Sequence, residues 1–188
     1  MKKTTINPGS VFLHPMPMVL VGAVVEGKAN FMAVGWVSRV NFKPPLFAVA
    51  LGPHYTNKGI DANREFSINI PDIPLVEKTD YCGLVSGGKT DKSDIFSIFY
   101  GKSDKAPLID ECPVCMALSL FETVQLPSNT LYIGEVQEAF TEDKYMTDNV
   151  PDIKKVNPFT LTMPDNNYWA VGEKVGKAWS VGKSLKDR

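Results

Sequence analysis

Two apolar, strand-like segments joined by a short turn constrain the fold of this chain most. Met18–Glu26 and Ala29–Val37 are rich in Val, Ala and Met, and Glu26-Gly27-Lys28 between them is typical of a tight hairpin turn. Pro44-Pro45 then precedes a third strand-like segment, Leu46–Leu51. Because short turns join antiparallel neighbours, this half of the chain predicts an antiparallel sheet.

The rest of the chain adds more strands and only a few short helices. The pattern predicts helices over Thr56–Arg64 and Leu75–Leu84, with a strand at Phe66–Ile70 between them. A second long hairpin is predicted from Cys115–Gln125 and Leu131–Phe140. Since strands and helices do not alternate regularly, the order favours a mainly β, Greek-key antiparallel barrel that closes on itself over a doubly wound sheet.

A length of 188 residues predicts a single domain with a substantial core. The acidic segment Thr141–Pro151 is predicted to be a surface loop. From about residue 158 the chain becomes a tail that carries Tyr168, Trp169 and Trp179. Aromatic residues concentrated in a tail predict that it docks, either on its own barrel or on a partner subunit.

Charge and hydropathy exclude several classes of partner. A net charge of −1 gives no overall field that would attract nucleic acid or anionic lipid. An apolar run from Met16 to Val25 follows Lys2 and Lys3, but it is too short to span a bilayer and continues the strand pattern. We therefore expect a cytoplasmic protein that contacts neither nucleic acid nor membrane.

The three cysteines are expected to be reduced and structural. Their odd number, without an export signal, argues for free thiols. Cys112 and Cys115 have the spacing of a redox dithiol or of half a zinc site, yet a strand-like segment follows them where a redox dithiol opens a helix. The histidines, His14 and His54, lie far away in sequence, so no metal site is predicted.

A phosphate-loop pattern at Gly83–Thr90 is predicted not to bind a nucleoside triphosphate. The pattern has that chemistry only between a buried strand and a helix, and the residues before it, Val76–Cys82, are polar and helix-like. No apolar strand ending in a metal-binding Asp follows. Its glycines and lysine still suit a phosphate bound in some other way.

The segment Asn30–Ser38, followed by His54-Tyr55-Thr56-Asn57-Lys58, combines features that suit a flat ring and a phosphate. Ala33 and Gly35 leave the backbone open to ring carbonyl oxygens, and Trp36 adds a large apolar surface. Thr56 opens the predicted helix, whose first turn offers free N–H groups to an anion. Flavin mononucleotide (FMN) has both parts; an ordinary half-buried strand and an ordinary helix cap are the alternative interpretation.

With these residues in hand, the chain resembles the flavin reductase-like family with the FMN-binding split barrel, and within it the flavoredoxins. The resemblance runs from about residue 16 to the C-terminus. Its matching stretches, in order, are Asn30–Ser38, Pro44-Pro45, Thr56–Asn69, Asp80–Gly83, Ser86-Gly87, Asp91-Lys92 and Gly172–Gly176. Each stretch is weak alone, but their order is specific.

The resemblance implies a set of cofactor-binding residues and a homodimer with two shared sites. A side chain near the phosphate and a cation are implied at Thr56 and Lys92, and tail aromatics beside the ring, often across a dimer interface, at Tyr168 and Trp169. The full set implied for FMN is Asn30, Met32, Ala33, Trp36, Val37, Ser38, Thr56, Ser86, Gly87, Lys92, Asn129, Tyr168 and Trp169.

The chain departs from this family at one position. Many relatives carry a His in the second hairpin turn, where this chain has Asn129, which hydrogen-bonds but cannot exchange a proton near neutral pH. The resemblance implies an FMN-dependent oxidoreductase that takes a hydride from NADH or NADPH and passes electrons to an unidentified acceptor. An electron carrier without nicotinamide turnover and a module that only holds flavin are the alternatives. A Rossmann glycine pattern is absent from the sequence, so a nicotinamide would stack directly on the flavin.

Overall fold

A computed structural model describes residues 3–186. Its helices are α1 (Tyr55–Asn63), α2 (Val76–Leu84) and α3 (Ile153–Val156), with short 3₁₀ turns at Pro8–Ser10, Ile73–Leu75, Asp143–Tyr145 and Val181–Leu185. Its strands are β1 (Met16–Pro17), β2 (Val19–Val25), β3 (Lys28–Val34), β4 (Val37–Asn41), β5 (Leu46–Leu51), β6 (Glu65–Ile70), β7 (Ile98–Phe99), β8 (Leu108–Ile109), β9 (Val114–Gln125), β10 (Thr130–Thr141), β11 (Met146–Thr147), β12 (Val150–Pro151), β13 (Phe159–Thr162) and β14 (Asn167–Ala170).

A 7-stranded sheet with the order β3-β2-β6-β9-β10-β5-β4 dominates the fold. All pairs of strands in it are antiparallel, which confirms the mainly antiparallel β fold. The expected closure of the barrel is wrong for the described residues, because β3 and β4 form the two edges of this order. Gly35 and Trp36 alone connect these edges, so the chain crosses the opening in two residues.

Trp36 lies at a break between strands and not inside one. The predicted strand Ala29–Val37 is two strands, because β3 ends at Val34 and β4 begins at Val37. The apolar pattern continues through the break, so periodicity alone could not locate it. Trp36 remains fixed to the sheet, since its carbonyl accepts a hydrogen bond of 2.9 Å from the N–H of Ala50.

Both faces of the central sheet are covered. On one face Val21, Val49 and Phe66 pack with Ile60 of α1, and all four are fully buried. On the other face Leu20 and Phe31 pack with Leu75, Phe96 and Leu108 from the connecting segments. Burying such a side chain contributes about 1.5–3 kcal/mol, so the sheet is a rigid support for β3.

The first part of the tail packs on its own chain. β13 pairs with β1, with Leu161 opposite Met16, and β14 pairs with β13. The Tyr168 hydroxyl donates a 2.7 Å hydrogen bond to Asp80 of α2. Farther along, Val175 and Trp179 are 102% and 96% exposed. The hairpin β13–β14 therefore ties α2 to the N-terminal segment, and the later aromatic residue projects into solvent.

The cysteines are buried and protonated. Burial raises the pKa of Cys115 to about 12, and its thiol donates to the Ile109 carbonyl at 3.1 Å. Burial also raises the pKa of Cys112 well above its ordinary value. A protonated thiol is a poor nucleophile, which argues against a redox dithiol.

Between residues 3 and 186 no three His, Cys, Asp or Glu side chains are grouped so that they could hold a metal ion. No helix in that range has the length and hydropathy needed to cross a membrane.

Candidate functional site

The loop that carries the phosphate-loop pattern follows a helix and not a strand. Gly83 belongs to α2, which ends at Leu84, and the residues up to Thr90 form turns. The strand that a triphosphatase loop requires is therefore missing at this point, in agreement with the sequence analysis. The loop instead packs over β3 and the start of α1.

Two joined cavities form a groove along the outer side of β3. The inner cavity, of about 210 Å³, lies between β3, α1 and the loop after α2. The outer cavity, of about 330 Å³, lies between β3, β5 and the turn that joins β9 to β10. Met32, Ala33 and His54 line both cavities, so the two are one continuous groove.

Asn30 and Thr56 form a polar contact beside the inner cavity. Asn30 is 5% exposed, and its Nδ2 donates a 2.7 Å hydrogen bond to Thr56 Oγ1. Thr56 is the second residue of α1 and not its cap, since His54 holds the cap position. Within residues 3–186 the Thr56 hydroxyl donates no hydrogen bond of its own. Thr56 therefore lines the inner cavity with an unused donor.

Gly87 allows the loop to approach this contact. A Cβ at Gly87 would lie 2.0 Å from Asn30 Oδ1 and 2.9 Å from the ring of Tyr55. No side chain fits in that space, so a glycine is required for the loop to lie here. Ser86 stabilises the same turn, since its hydroxyl accepts a 3.4 Å hydrogen bond from the N–H of Gly88. Ser86 and Gly87 thus form one wall of the inner cavity.

Lys92 is a buried cation without a carboxylate partner. It is 2% exposed, and its Nζ donates to the carbonyls of Cys82 at 3.3 Å and Val85 at 3.1 Å. An ammonium has three donors, so one is left over. Burial lowers the pKa of Lys92, and in the described part of the chain it forms no salt bridge. A buried charge is costly without a counterion, and the phosphate of a bound cofactor would supply one.

The outer cavity has the features that a flat ring needs. Gly35 and Gly52, together with Ala33 and Ala50, leave the backbone accessible along two strands. Trp36 is 45% exposed and covers one end of this surface. Asn129 and Met163 also line the cavity. A surface of small side chains and accessible backbone amides, with an aromatic side chain at one end, suits an isoalloxazine ring.

His54 is a groove residue that the sequence analysis did not select. It lines both cavities at their junction. The signal was present, since His54 directly precedes the predicted helix and is one of only 2 histidines in the chain. In the sequence analysis, His54 was considered only as a metal ligand, for which it lies too far from the cysteines. Its position two residues before Thr56 already indicated that it lies near the same site.

Five of the residues implied by the resemblance line neither cavity. Asn30 is one of them, and it contacts the inner cavity only through its hydrogen bond to Thr56. Val37 and Ser38 belong to β4 and line a neighbouring apolar groove of about 560 Å³, which meets the outer cavity at Trp36. Tyr168 and Trp169 lie on β14 and line neither cavity. Their polar atoms bind other residues of β13 and α2, at Thr162 and Asp80. Within one chain, the groove is therefore lined by the other eight implied residues.

An open antiparallel sheet with a groove along one edge strand is the architecture of the split-barrel flavin proteins. Residues 11–155 match the profile described as "Flavin reductase like domain". The chain belongs to the flavin reductase-like family.

Solved structures agree with this assignment. The chain is 50% identical to a flavoredoxin from Methanosarcina acetivorans, with a TM-score of 0.96 and coverage of 98% of this chain and 100% of that one. It is 32% identical to the flavoredoxin of Desulfovibrio vulgaris (Miyazaki F), with a TM-score of 0.88 and coverage of 97% and 100%. An FMN-binding protein from Thermus thermophilus shares the fold at 21% identity, with a TM-score of 0.79 and coverage of 94% and 98%.

Proposed function

We propose that the groove binds FMN, with the ring in the outer cavity and the phosphate in the inner one. Buried Lys92, which lacks a carboxylate partner, is the observation that carries this proposal. Thr56 and the loop at Ser86 and Gly87 add donors around the same cavity. A phosphate would compensate the charge of Lys92 and accept a hydrogen bond from the Thr56 hydroxyl.

The proposed activity is that of an oxidoreductase that uses this flavin. A bound flavin supplies the chemistry, which is to take a hydride from NADH or NADPH and pass electrons to an acceptor. The chain's own contribution would be to bind the ring through residues that line the outer cavity, among them Met32, Ala33 and Trp36. Membership of the flavin reductase-like family supports this proposal, and its nicotinamide step and acceptor are open to test.

Asn129 favours a second candidate function. It lines the outer cavity at the position where the sequence analysis expected relatives to carry a His. An amide cannot give or take a proton near neutral pH, so this turn gives no acid or base to a nicotinamide reaction. The alternative is an electron carrier that holds FMN and is reduced by another protein.

Anaerobic rapid mixing separates the two functions. The FMN-loaded protein is mixed with NADH, and separately with NADPH. The visible absorbance of the flavin, at about 450 nm, is then followed. Bleaching that saturates with nicotinamide concentration supports the oxidoreductase. A flavin that binds at one per chain, stays oxidised with both nicotinamides and bleaches with dithionite supports the carrier.

We further propose that the protein is a cytoplasmic homodimer. The apolar groove beside Trp36 includes Val11 and Leu13, which are 55% and 90% exposed in the single chain. Adjacent exposed apolar residues of this kind mark an interaction surface. A sizing experiment at several protein concentrations tests the dimer, and a monomer with full FMN affinity would exclude a site shared between subunits.

A further inference from the structure

We propose that His54 supplies a proton during flavin reduction. This inference rests on the proposed FMN oxidoreductase function. His54 is placed for the role by the fold, since it lies between β5 and α1 and lines both halves of the groove. Asn129 lines the outer half of the same groove, so His54 and Asn129 border one space.

The imidazole of His54 lies over the floor of the groove. Its Nε2 is 3.4 Å from the point that a Cβ on Gly52 would occupy, and Gly52 itself lines the outer cavity. A Cβ at Gly52 would make only ordinary van der Waals contact with the ring, so the imidazole lies directly beside this backbone. The imidazole is thus held next to the accessible backbone that we assign to the flavin ring.

Both ring nitrogens of His54 are available. Among the hydrogen bonds of residues 3–186, none involves the His54 imidazole, whereas the Asn129 Oδ1 accepts a 2.8 Å bond from the Ser128 hydroxyl. His54 is also exposed to solvent. An imidazole that meets water and faces a binding groove can exchange protons with both.

The other titratable groups of the two cavities are poorly suited to this task. They are Tyr55, Cys82 and Lys92. Burial raises the pKa of Tyr55 and of Cys82, so both keep their protons at neutral pH. Lys92, whose pKa is lowered by burial, already donates to two carbonyls. Imidazole is the ordinary side chain that gives and takes protons between pH 5 and 8.

The proton balance defines the step. A hydride from the nicotinamide C4 brings two electrons and one proton, and the nicotinamide leaves oxidised. Reduction of a flavin to its neutral dihydro form consumes one more proton. We assign that proton to protonated His54, which becomes neutral and then recovers a proton from water. No further oxidant or reductant enters this step.

Four proteins without purification tags test the assignment. They are the wild type, His54→Gln, His14→Gln and the double variant His54→Gln with Asn129→His. His14 is the matched control, because it is the other exposed histidine and lines neither cavity. Each protein is first titrated with FMN and checked for cooperative unfolding, so that flavin binding and folding are known before rates are compared.

Rates of flavin bleaching by NADH are then measured from pH 6 to 8. His54→Gln should be slower by about 10- to 100-fold at pH 7, at or below the usual general-acid contribution because water still reaches the site. The pH dependence of the rate should flatten. His14→Gln should match the wild type, and Asn129→His should restore much of the rate in the double variant. A His54→Gln protein that binds FMN and bleaches at the wild-type rate and pH profile would overturn the assignment.

Nuclear magnetic resonance gives a second readout that does not depend on turnover. The chain has 2 histidines, so two imidazole Cε1–H signals are expected. FMN should shift the His54 signal and its titration midpoint, while the His14 signal stays in place. A His54 signal that FMN leaves unchanged overturns the inference even if FMN binds. If the wild type binds no FMN in the titration, the proposed function itself fails, and this result is distinct from the first.

Discussion

Replacement of Gly87 by Ala is expected to weaken FMN binding while the rest of the fold persists. The new Cβ would lie 2.0 Å from Asn30 Oδ1 and 2.9 Å from Tyr55, so either the loop or the Asn30 side chain must move. Overpacking of this kind costs about 1–3 kcal/mol. If the loop moves and the flavin must restore its position on binding, that cost reduces affinity by about 5- to 150-fold, since about 1.4 kcal/mol corresponds to a factor of ten.

The assay is quenching of FMN fluorescence by each variant, with the free energy of unfolding measured in parallel. Two glycines serve as controls, since a Cβ at Gly172 meets nothing within 4 Å and one at Gly88 comes to 3.2 Å from Tyr55. Gly172→Ala should bind as the wild type does, and Gly88→Ala should fall between the other two. If Gly87→Ala retained both wild-type affinity and wild-type stability, the packing of this loop against Asn30 would be wrong.

Three further outcomes are expected. Riboflavin should bind at least about tenfold more weakly than FMN, because charge-assisted hydrogen bonds to the phosphate contribute about 1.5–3 kcal/mol each. Thr56→Val should reduce this difference in affinity. Equal affinity for both flavins would contradict the proposed phosphate site. Trp36→Ala should weaken FMN binding several-fold more than Trp179→Ala, since an aromatic contact adds about 0.5–1.5 kcal/mol and Trp179 projects into solvent; equal titrations of two folded variants would contradict this. Burial and Asp80 raise the pKa of Tyr168 in the folded protein to about 12. In the unfolded chain this tyrosine ionises at a lower pH, so the free energy of unfolding should fall as the pH rises from about 10 to about 12. Tyr168→Phe should cost about 1 kcal/mol at pH 7 and make that alkaline fall less steep in urea unfolding, and Tyr132, whose pKa burial also raises to about 12, accounts for part of the fall that is left.

The antiparallel pairing and most element bounds could be predicted from the sequence. The predicted strand Leu46–Leu51 has the observed bounds, and the strands of the second hairpin agree within one residue, whereas Ala29–Val37 extends three residues beyond the end of β3. These segments have strong apolar patterns and clear turn residues, from which strands can be predicted without knowledge of the tertiary structure. The break at Gly35 and Trp36 could not be predicted, because both sides of it are apolar and only the path of the sheet decides where a strand ends.

The groove was partly predictable for a similar reason. Asn30, Thr56 and Lys92 are polar residues that the fold buries, and the resemblance indicated them by motif. Their mutual contacts could not be predicted, because they join residues that are distant in sequence. The 2.7 Å hydrogen bond between Asn30 and Thr56, for example, joins positions 26 residues apart. His54 could not be placed beside the groove from the sequence, because its place there depends on how Gly52, which follows β5, lies relative to β3.

The hairpin β13–β14 means that the matched family segment leaves out part of the packed structure. The match ends at residue 155, yet Phe159 is 2% exposed and β13 supplies the hydrogen-bonding partner of β1. A fragment cut at that boundary would expose this apolar surface and free Asp80 from Tyr168. Domain swaps or fusions within this family should therefore retain the chain to at least Ala170, where β14 ends.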